Sequence, residues 1–221
     1  MLENKVKYLQ LAFNQDSGTV SRLLPRIPRD ERIIIEAGTP YIKREGRNAI
    51  SYIRSMWPGY VLADVKTMDG AAGEVEEVAE AGANGATVLG TAPPETINLF
   101  IESCEEAGID AFVDMIGIED PLRVLMRLKK PPRVVVLHKG RDEEGSRFKV
   151  IKYVHIRRVR SKFDVLISAA GGIDLRQAQS ASFNGANIVT VNIVRPDEKF
   201  EGIGTEDAIE RLAVEFLQGI E

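Results

Sequence analysis

An acid and a base follow one apolar run of the sequence at a spacing that suits chemistry. Asp64 and Lys66 are two residues apart, so both side chains point to the same face of an extended strand. In an enclosed interior such a pair could bind a divalent ion or stabilise negative charge on a substrate. At the surface it would be an ordinary salt bridge, and spacing alone leaves both interpretations open. Glu36 ends another apolar run and could add a second carboxylate, enough for Mg²⁺.

A second group of chemically capable residues comes later in the chain. His138 ends an apolar run and Arg141 follows it, so the imidazole could serve as a general acid or base, or could simply cap the next segment. The Gly171-Gly172 turn would let backbone N–H groups approach a phosphate, although any tight turn can use two glycines. We expect His155 to lie on a solvated helix face.

Eight short apolar runs could position these residues. They are nearly continuously apolar, which is typical of parallel strands covered on both faces. The runs are 8–13, 32–37, 60–65, 86–90, 111–116, 133–138, 164–169 and 187–194. Segments with helical spacing separate them, and helix starts are predicted at Pro94, Pro121 and Asp174.

Strict alternation of strand and helix predicts right-handed crossovers and parallel strands. Eight such units close into a (β/α)₈ TIM barrel, and we expect residues 1–221 to form this one domain. The alternative is an open doubly wound sheet, but no glycine-rich phosphate loop follows the first run. In a barrel the chemistry sits at the carboxyl ends of the strands. The polar residues there are Asn14, Glu36, Asp64, Lys66, Asp69, Asp114, His138 and Arg141.

The bulk composition excludes several classes of protein. The net charge of the 221 residues is −4, so nothing attracts nucleic acid or anionic lipid overall. The basic stretch 149–162 could bind an acidic partner, but a solvated helix face is the expected role. No apolar run approaches the ~18 residues of a membrane span, and the first ten residues lack the apolar region of a signal peptide. A lone Cys104 fits a reducing, cytoplasmic location, and two histidines argue against a histidine-rich zinc site.

Six segments together resemble a known enzyme group. They are Leu-Gln-Leu-Ala at 9–12, Ile-Glu-Ala-Gly-Thr-Pro at 35–40, Ala-Asp-Val-Lys-Thr-Met-Asp at 63–69, Val-Leu-Gly at 88–90, His-Lys-Gly-Arg-Asp at 138–142 and Ala-Gly-Gly-Ile at 170–173. In order and spacing the chain resembles the 3-hexulose-6-phosphate synthase group of the orotidine-monophosphate decarboxylase superfamily, with 3-keto-L-gulonate-6-phosphate decarboxylase as a similar relative. The resemblance covers about residues 7 to 194.

The resemblance implies roles for Glu36 and for three residues of the 63–69 segment. Glu36 and Asp64 would hold Mg²⁺, and Lys66 would stabilise an enediolate of a sugar phosphate. Asp69 would reach across the interface of a homodimer into the neighbouring active site. The threonine and methionine of this segment look more like the synthase than the decarboxylase.

The same resemblance implies a reaction. His138 would relay a proton with help from Arg141. The enzyme would then be a carbon–carbon lyase that joins formaldehyde to ribulose 5-phosphate, or releases it in the reverse direction. A decarboxylase using the same enediolate is the alternative within this class.

The chain departs from the family pattern where substrate would bind. Asn14 stands where the first strand usually ends in aspartate, and Ala170 stands where a hydroxyl residue is common. Asn192-Ile193 occupies the place of a phosphate-gripping Gly-Arg pair, with Arg195 close by. These changes also allow a catalytically altered barrel that binds a metabolite or a partner protein. The expected substrate-binding residues are Asn14, Gly171, Gly172, Asn192 and Arg195.

Overall fold

Eight parallel strands close into a barrel in the computed structural model, which describes residues 1–143 and 150–221. The strands are β1 (Tyr8–Phe13), β2 (Ile33–Ala37), β3 (Tyr60–Thr67), β4 (Gly85–Leu89), β5 (Asp110–Asp114), β6 (Val134–His138), β7 (Leu166–Ala170) and β8 (Ile188–Val194). Each pairs in parallel with the next, and β1 also pairs with β8. The predicted (β/α)₈ barrel is confirmed, and every predicted strand boundary falls within two residues of the observed one.

Helices follow the strands around the outside of the barrel. They are α1 (Ser17–Leu23), α2 (Thr39–Glu45), α3 (Asn48–Met56), α4 (Ala71–Glu80), α5 (Pro94–Glu106), α6 (Pro121–Leu125), α7 (Val154–Arg160), α8 (Leu175–Phe183) and α9 (Ile209–Gly219). The predicted helix starts at Pro94 and Pro121 are confirmed, and Asp174 caps α8 by accepting from the Gln177 N–H. A two-residue strand β9 (Ile203–Gly204), which the sequence did not predict, pairs with β8. None of the helices in the described ranges is both long and apolar enough to cross a membrane.

The inside of the barrel is built from every second residue of the strands. We call its lower part the apolar layer; it consists of Tyr8, Ile34, Phe112, Val134, Leu166 and Ile188. Leu2 packs beneath this layer with 3% of its surface exposed, and its N–H donates to Asp110 Oδ2 at 3.0 Å. The first residues of the chain therefore close the end of the barrel at which the strands begin.

Two to four residues further along the same strands the interior becomes polar. We call this part the polar layer; it consists of Gln10, Glu36, Asp64, Thr87, Asp114, His138 and Thr190. All seven line one pocket at the carboxyl ends of the strands, which is where barrel enzymes place their chemistry. The fold thus brings together residues up to 180 positions apart in the sequence.

One expectation about the outer helices is wrong. His155 lies on α7, but only 8% of its surface is exposed, so it is buried against the barrel rather than solvated. The basic residues of α7 occupy its other faces, which explains why the charge pattern suggested a solvated helix. Residue 149, the start of the predicted basic stretch, lies outside the described residues. Cys104 is buried on the inner face of α5.

Candidate active site

The Asp64 and Lys66 side chains meet in the pocket, although the strand that carries them is irregular. Lys66 has a φ of +53°, and the register between β3 and β4 shifts between Ala63 and Thr67. A left-handed backbone costs a non-glycine residue roughly 1–2 kcal/mol, so specific contacts must hold it. The Lys66 N–H donates to Thr87 Oγ1 at 2.9 Å, and Lys66 Nζ donates to Asp64 Oδ1 at 2.9 Å. The pair therefore shares a face, and reaches it through a β-bulge.

A chain of ionic contacts continues from Lys66 to His138 through Asp114, the last residue of β5. Lys66 Nζ donates to Asp114 Oδ2 at 2.8 Å, and His138 Nδ1 lies 2.9 Å from the same oxygen. Asp114 is 2% exposed, and the Ile116 N–H donates to its Oδ1 at 3.0 Å. A carboxylate can only accept, so His138 donates through Nδ1. The Nε2 nitrogen is then the one available for proton exchange with a substrate.

The electrostatics of this chain favour the charged forms. Burial by itself lowers the pKa of Lys66, but the carboxylates of Asp64 and Asp114 outweigh it and raise that pKa above its usual range. Burial raises the pKa of Asp114, yet His138 and Lys66 outweigh burial and hold that pKa far below its usual range. For His138 the opposing effects are burial, which lowers the pKa, and Asp114, which raises it; the net pKa is raised. Lys66 is therefore a cation and Asp114 an anion at neutral pH.

Glu36 and Asp64 share the pocket but are compensated to different degrees. Thr39 Oγ1 donates to Asp64 Oδ2 at 2.6 Å, and Thr87 Oγ1 donates to Asp64 Oδ1 at 2.8 Å. Glu36 is 6% exposed and accepts a hydrogen bond from Gln10 Nε2. Burial and then the negative charge of Asp64 raise the pKa of Glu36 to about 7. Asp64 is thus surrounded by donors, whereas the charge of Glu36 is poorly balanced.

The two carboxylates suit a hard divalent cation. A cation bound to Glu36 and Asp64 would relieve the repulsion that raises the pKa of Glu36. Within residues 1–143 and 150–221, no three His, Cys, Asp or Glu side chains form a group that could hold a metal ion by themselves. Mg²⁺ commonly uses one or two carboxylates and completes its shell with waters and substrate oxygens, so this donor set fits Mg²⁺. It does not fit a structural zinc ion, which takes four protein ligands.

The pocket has a volume of about 200 Å³, and two features mark its mouth. Asn14 Nδ2 donates to Asn192 Oδ1 at 3.1 Å, which joins the ends of β1 and β8. Gly171 also lines the pocket, with a φ of +103°. A Cβ at this position would lie 1.9 Å from the carbonyl oxygen of Lys139, so only glycine fits. The glycine therefore lets the backbones of Gly171 and Lys139 approach each other closely beside the pocket.

The two arginines predicted near the site have different surroundings. Arg141 lines the pocket, and its guanidinium carbon lies 4.5 Å from the centre of the Phe200 ring, a cation–π contact. Arg195 Nη2 lies 3.2 Å from Asp16 Oδ2, and 45% of the Arg195 side chain is exposed. Arg195 is not among the described residues that line the pocket. A contact between Arg195 and substrate therefore stays a prediction.

Asp69 and Gly172 also lie apart from the pocket walls that the structure describes. Asp69 is exposed beyond the end of β3 and borders a separate depression with Leu99 of α5. Gly172 follows Gly171 with a φ of +60°. The roles predicted for these residues, contact with a second subunit and contact with phosphate, stay predictions.

Several pocket residues carry contacts that the sequence analysis did not assign. Asp114 was noted at a strand end but received no role, although it joins Lys66 to His138. Gln10, Thr87 and Thr190 are polar interruptions at inward positions of apolar strands, a signal that was available. Thr39 gave no such signal, since it opens a helix.

The fold and the pocket define a class: a (β/α)₈ barrel with an acid–base–acid cluster at the carboxyl ends of its strands. Residues 7–195 match the model of the Orotidine 5'-phosphate decarboxylase / HUMPS family, and the chain belongs to this family of enzymes. "Bifunctional enzyme Fae/Hps" of Methanosarcina barkeri (strain Fusaro / DSM 804) is 38% identical over 186 residues, covering 83% of this chain and 47% of that protein. The protein of the same name from Methanoculleus marisnigri (strain ATCC 35101 / DSM 1498 / JR1) is 35% identical over 210 residues, which cover 94% of this chain and 53% of that protein. The chain spans about half the length of the curated relatives it matches.

Solved structures agree with this family. 3-Hexulose-6-phosphate synthase from Salmonella typhimurium superposes with a TM-score of 0.82 at 28% identity, covering 96% of this chain and 98% of that chain. 3-Keto-L-gulonate-6-phosphate decarboxylase from Vibrio cholerae O1 biovar El Tor str. N16961 has a TM-score of 0.75 at 21% identity, with 98% of both chains covered. The second likeness concerns the fold alone. The predicted resemblance to this group of the superfamily is confirmed.

Proposed function

We propose that the protein is a carbon–carbon lyase that acts on a sugar phosphate, most like 3-hexulose-6-phosphate synthase. It would join formaldehyde to ribulose 5-phosphate, and the same residues would serve the reverse reaction. The observation that carries the proposal is the position of Lys66 Nζ, 2.9 Å from Asp64 and 2.8 Å from Asp114 in a pocket at the strand ends. The similarity to proteins named for this activity supports the choice of substrate.

Lys66 would stabilise the negative charge that develops when a sugar phosphate becomes an enediolate. Its Nζ is a cation because the carboxylates of Asp64 and Asp114 raise its pKa, and its two ion pairs hold it in place before substrate binds. A preorganised donor of this kind acts strongly in a site that excludes water. Asp114 would hold Lys66 and His138 in place through the two contacts described above.

His138 would move the proton that the reaction requires. Its Nδ1 is bound to Asp114, which would leave Nε2 to take the carbon-bound proton that ribulose 5-phosphate loses when the enediolate forms. The same Nε2 would return a proton to the alkoxide that forms when the enediolate attacks formaldehyde. Arg141 lines the same pocket and would assist by binding an anionic part of the substrate. Asn14, Asn192 and Gly171 would contact the substrate at the mouth, and Gly172 and Arg195 would contribute to phosphate binding from its border.

We propose Mg²⁺ as the cofactor, held by Glu36 and Asp64. A bound Mg²⁺ supplies Lewis-acid stabilisation of negative charge on substrate oxygens. The support is the donor set itself, two carboxylates of which one is poorly compensated. Isothermal titration with Mg²⁺ should give binding that is lost in Glu36→Gln, and unchanged binding in that variant would contradict this assignment.

We also propose a cytoplasmic homodimer in which Asp69 reaches the neighbouring subunit's pocket. The support is the exposed position of Asp69 at the end of the strand that carries Asp64 and Lys66, next to Met68, which is 48% exposed. Analytical ultracentrifugation at micromolar concentration should show a dimer. A monomer at that concentration would contradict the proposal.

The experiment that tests the reaction follows formaldehyde. Purified protein is incubated with Mg²⁺, ribulose 5-phosphate and formaldehyde, and formaldehyde loss is measured in the wild type and in Asp64→Ala. The matched control is Asp30→Ala, which removes a carboxylate at the opposite end of the barrel, where Asp30 pairs with Arg32. Consumption that survives in the control and disappears in Asp64→Ala is the expected result.

Absence of consumption by folded wild-type protein would overturn the synthase proposal. Release of CO₂ from 3-keto-L-gulonate 6-phosphate would then support the decarboxylase, whose family shares the fold. Ligand binding without either reaction would support a catalytically altered barrel, which the paired amides of Asn14 and Asn192 at the mouth favour.

A further inference from the structure

Gln10 presents a buried hydrogen-bond acceptor to the pocket, and no protein group satisfies it among the described residues. The side chain lines the pocket, and only 5% of the residue is exposed. Its Nε2 donates to Glu36 Oε2, whereas its Oε1 is buried without a partner. An unsatisfied buried acceptor costs roughly 1–3 kcal/mol, so a native site normally supplies a donor.

The orientation of the Gln10 amide is fixed by its neighbour. The ionised Glu36 carboxylate, the form that would bind Mg²⁺, can only accept a hydrogen bond, so the Gln10 NH₂ group faces Glu36 and Oε1 faces away from it. A strand residue at an inward position has little freedom to turn elsewhere. In the β1–β8 pairing Gln10 lies opposite Thr190, which also lines the pocket. Because Gln10 and Thr190 both line the pocket, the unpaired oxygen lies within the polar layer, on the side of the Gln10 amide away from Glu36.

We infer that Gln10 is a substrate-binding residue, whose Oε1 accepts a hydrogen bond from a hydroxyl group of the bound sugar phosphate while Nε2 positions the Glu36 carboxylate. This inference rests on the proposed function. A sugar carries hydroxyl donors along its length, whereas inorganic phosphate is a small anion that would occupy the phosphate site at the mouth and not reach Gln10 in the middle of β1. Gln10 therefore distinguishes a polyhydroxylated ligand from a bare anion, and couples recognition of the sugar to the geometry of a proposed metal ligand.

The test compares two probes, ribulose 5-phosphate and inorganic phosphate, in the presence of Mg²⁺. Gln10→Met keeps the side-chain volume and removes both the NH₂ donor and the carbonyl acceptor of the amide. Its affinity for ribulose 5-phosphate, measured by isothermal titration calorimetry, should fall tenfold or more, and its affinity for inorganic phosphate should change by less than about twofold. Titration with Mg²⁺ alone should also show weaker binding, because Glu36 has lost its donor.

The matched control is Ser168→Ala, a buried residue of the interior that is not among the described pocket walls. It should bind both probes like the wild type. Equal ribulose 5-phosphate affinity in Gln10→Met and wild type would overturn the inference, because a water would then satisfy Oε1. Equal weakening of both probes would overturn it too. If Gln10→Met fails to fold, Gln10→Asn is tested in its place. Asparagine keeps a polar amide but is one methylene shorter, so the amide no longer reaches the same position, and the same comparison of the two probes applies.

The outcomes separate this inference from the proposed function. Wild-type protein that binds ribulose 5-phosphate through Gln10 but consumes no formaldehyde would overturn the function alone. Formaldehyde consumption with an unchanged affinity in Gln10→Met would overturn the role of Gln10 alone. Failure of wild-type protein to bind ribulose 5-phosphate would overturn both.

Discussion

The apolar layer and the polar layer occupy the same barrel and the same strands, two to four residues apart. Ile34 precedes Glu36, and Phe112 precedes Asp114, with identical side-chain direction because strands alternate with a period of two. Below, the interior is closed by packing and by Leu2. Above, it is lined by ion pairs and hydroxyl groups and holds the pocket. One structural period therefore serves both stability and chemistry, and only the residue types change.

The polar layer is stable because nearly all its charges have partners. An isolated buried charge is very costly, whereas a buried charge with several donors or counter-charges is tolerated. Asp114 has His138, Lys66 and a backbone N–H, and Asp64 has Lys66 and two threonines. Glu36 is the exception. Substitutions in the apolar layer should therefore change mainly stability, and substitutions in the polar layer mainly activity.

The largest expected effect is on stability, and it lies in the apolar layer. Phe112→Ala empties a fully buried site and should lower the free energy of unfolding by about 3–5 kcal/mol. Turnover at a temperature where the variant is folded should change less than about tenfold, because Phe112 does not line the described pocket. Urea unfolding and formaldehyde assays check both. A loss of turnover as large as that of a pocket variant would mean that the layers are not separable.

Lys66→Ala, in the polar layer, should lower turnover strongly and leave the fold intact. Removal of a preorganised group that faces developing charge should lower turnover by roughly 100- to 1,000-fold, with the circular dichroism spectrum retained. The matched control is Lys130→Ala, which removes an exposed lysine that pairs with Glu105 at the surface. Unchanged activity in Lys66→Ala would contradict the proposed mechanism.

The pH dependence of stability should reveal Glu36. Its pKa is about 7 in the folded protein and about 4.5 when unfolded, so the folded state binds more protons between these values. Stability of the metal-free protein should therefore fall as pH rises from 4.5 to 7, by roughly 3 kcal/mol from this group. Other groups titrate too, so the measured quantity is the difference between wild type and Glu36→Gln. Parallel stability curves for the two proteins would contradict the raised pKa.

The smallest effect concerns the contact between Arg141 and Phe200. Phe200→Leu removes the ring from the guanidinium, a contact worth roughly 0.5–1 kcal/mol at a partly exposed site. The affinity for ribulose 5-phosphate should weaken by two- to fivefold through loss of Arg141 positioning, with the melting temperature nearly unchanged. An altered melting temperature at unchanged affinity would show that the contact only stabilises the loop.

The sequence predicts the barrel well because strands and helices are local patterns. Apolar runs and helix starts such as Asp174 are visible in a short window, and the structure confirms them. The pairing of Asp64 with Lys66 was also accessible, since two residues suffice to state it. The β-bulge that places Lys66 could not be predicted from the sequence, because it depends on a hydrogen bond to Thr87 of the neighbouring strand.

Contacts between distant residues explain what the sequence analysis missed. Asp114 joins Lys66 and His138, which are 48 and 24 positions away, and no local pattern marks such a bridge. The prediction that His155 is solvated was wrong, because the basic residues around it in the sequence do not indicate which face of α7 packs against the barrel. The salt bridge of Arg195 with Asp16 likewise links chain ends that come together only when β8 reaches β1.

The pairing of β1 with β8 also has a consequence for biosynthesis. Tyr8 lies opposite Ile188, so the closing contact joins residues 180 positions apart. On the ribosome β1 is made long before β8. The edge of β1 that pairs with β8 therefore stays unpaired while the intervening units are synthesised. Asn14 meets Asn192 only at that final step. The pocket is therefore assembled last, and a nascent chain that lacks β8 has no complete site.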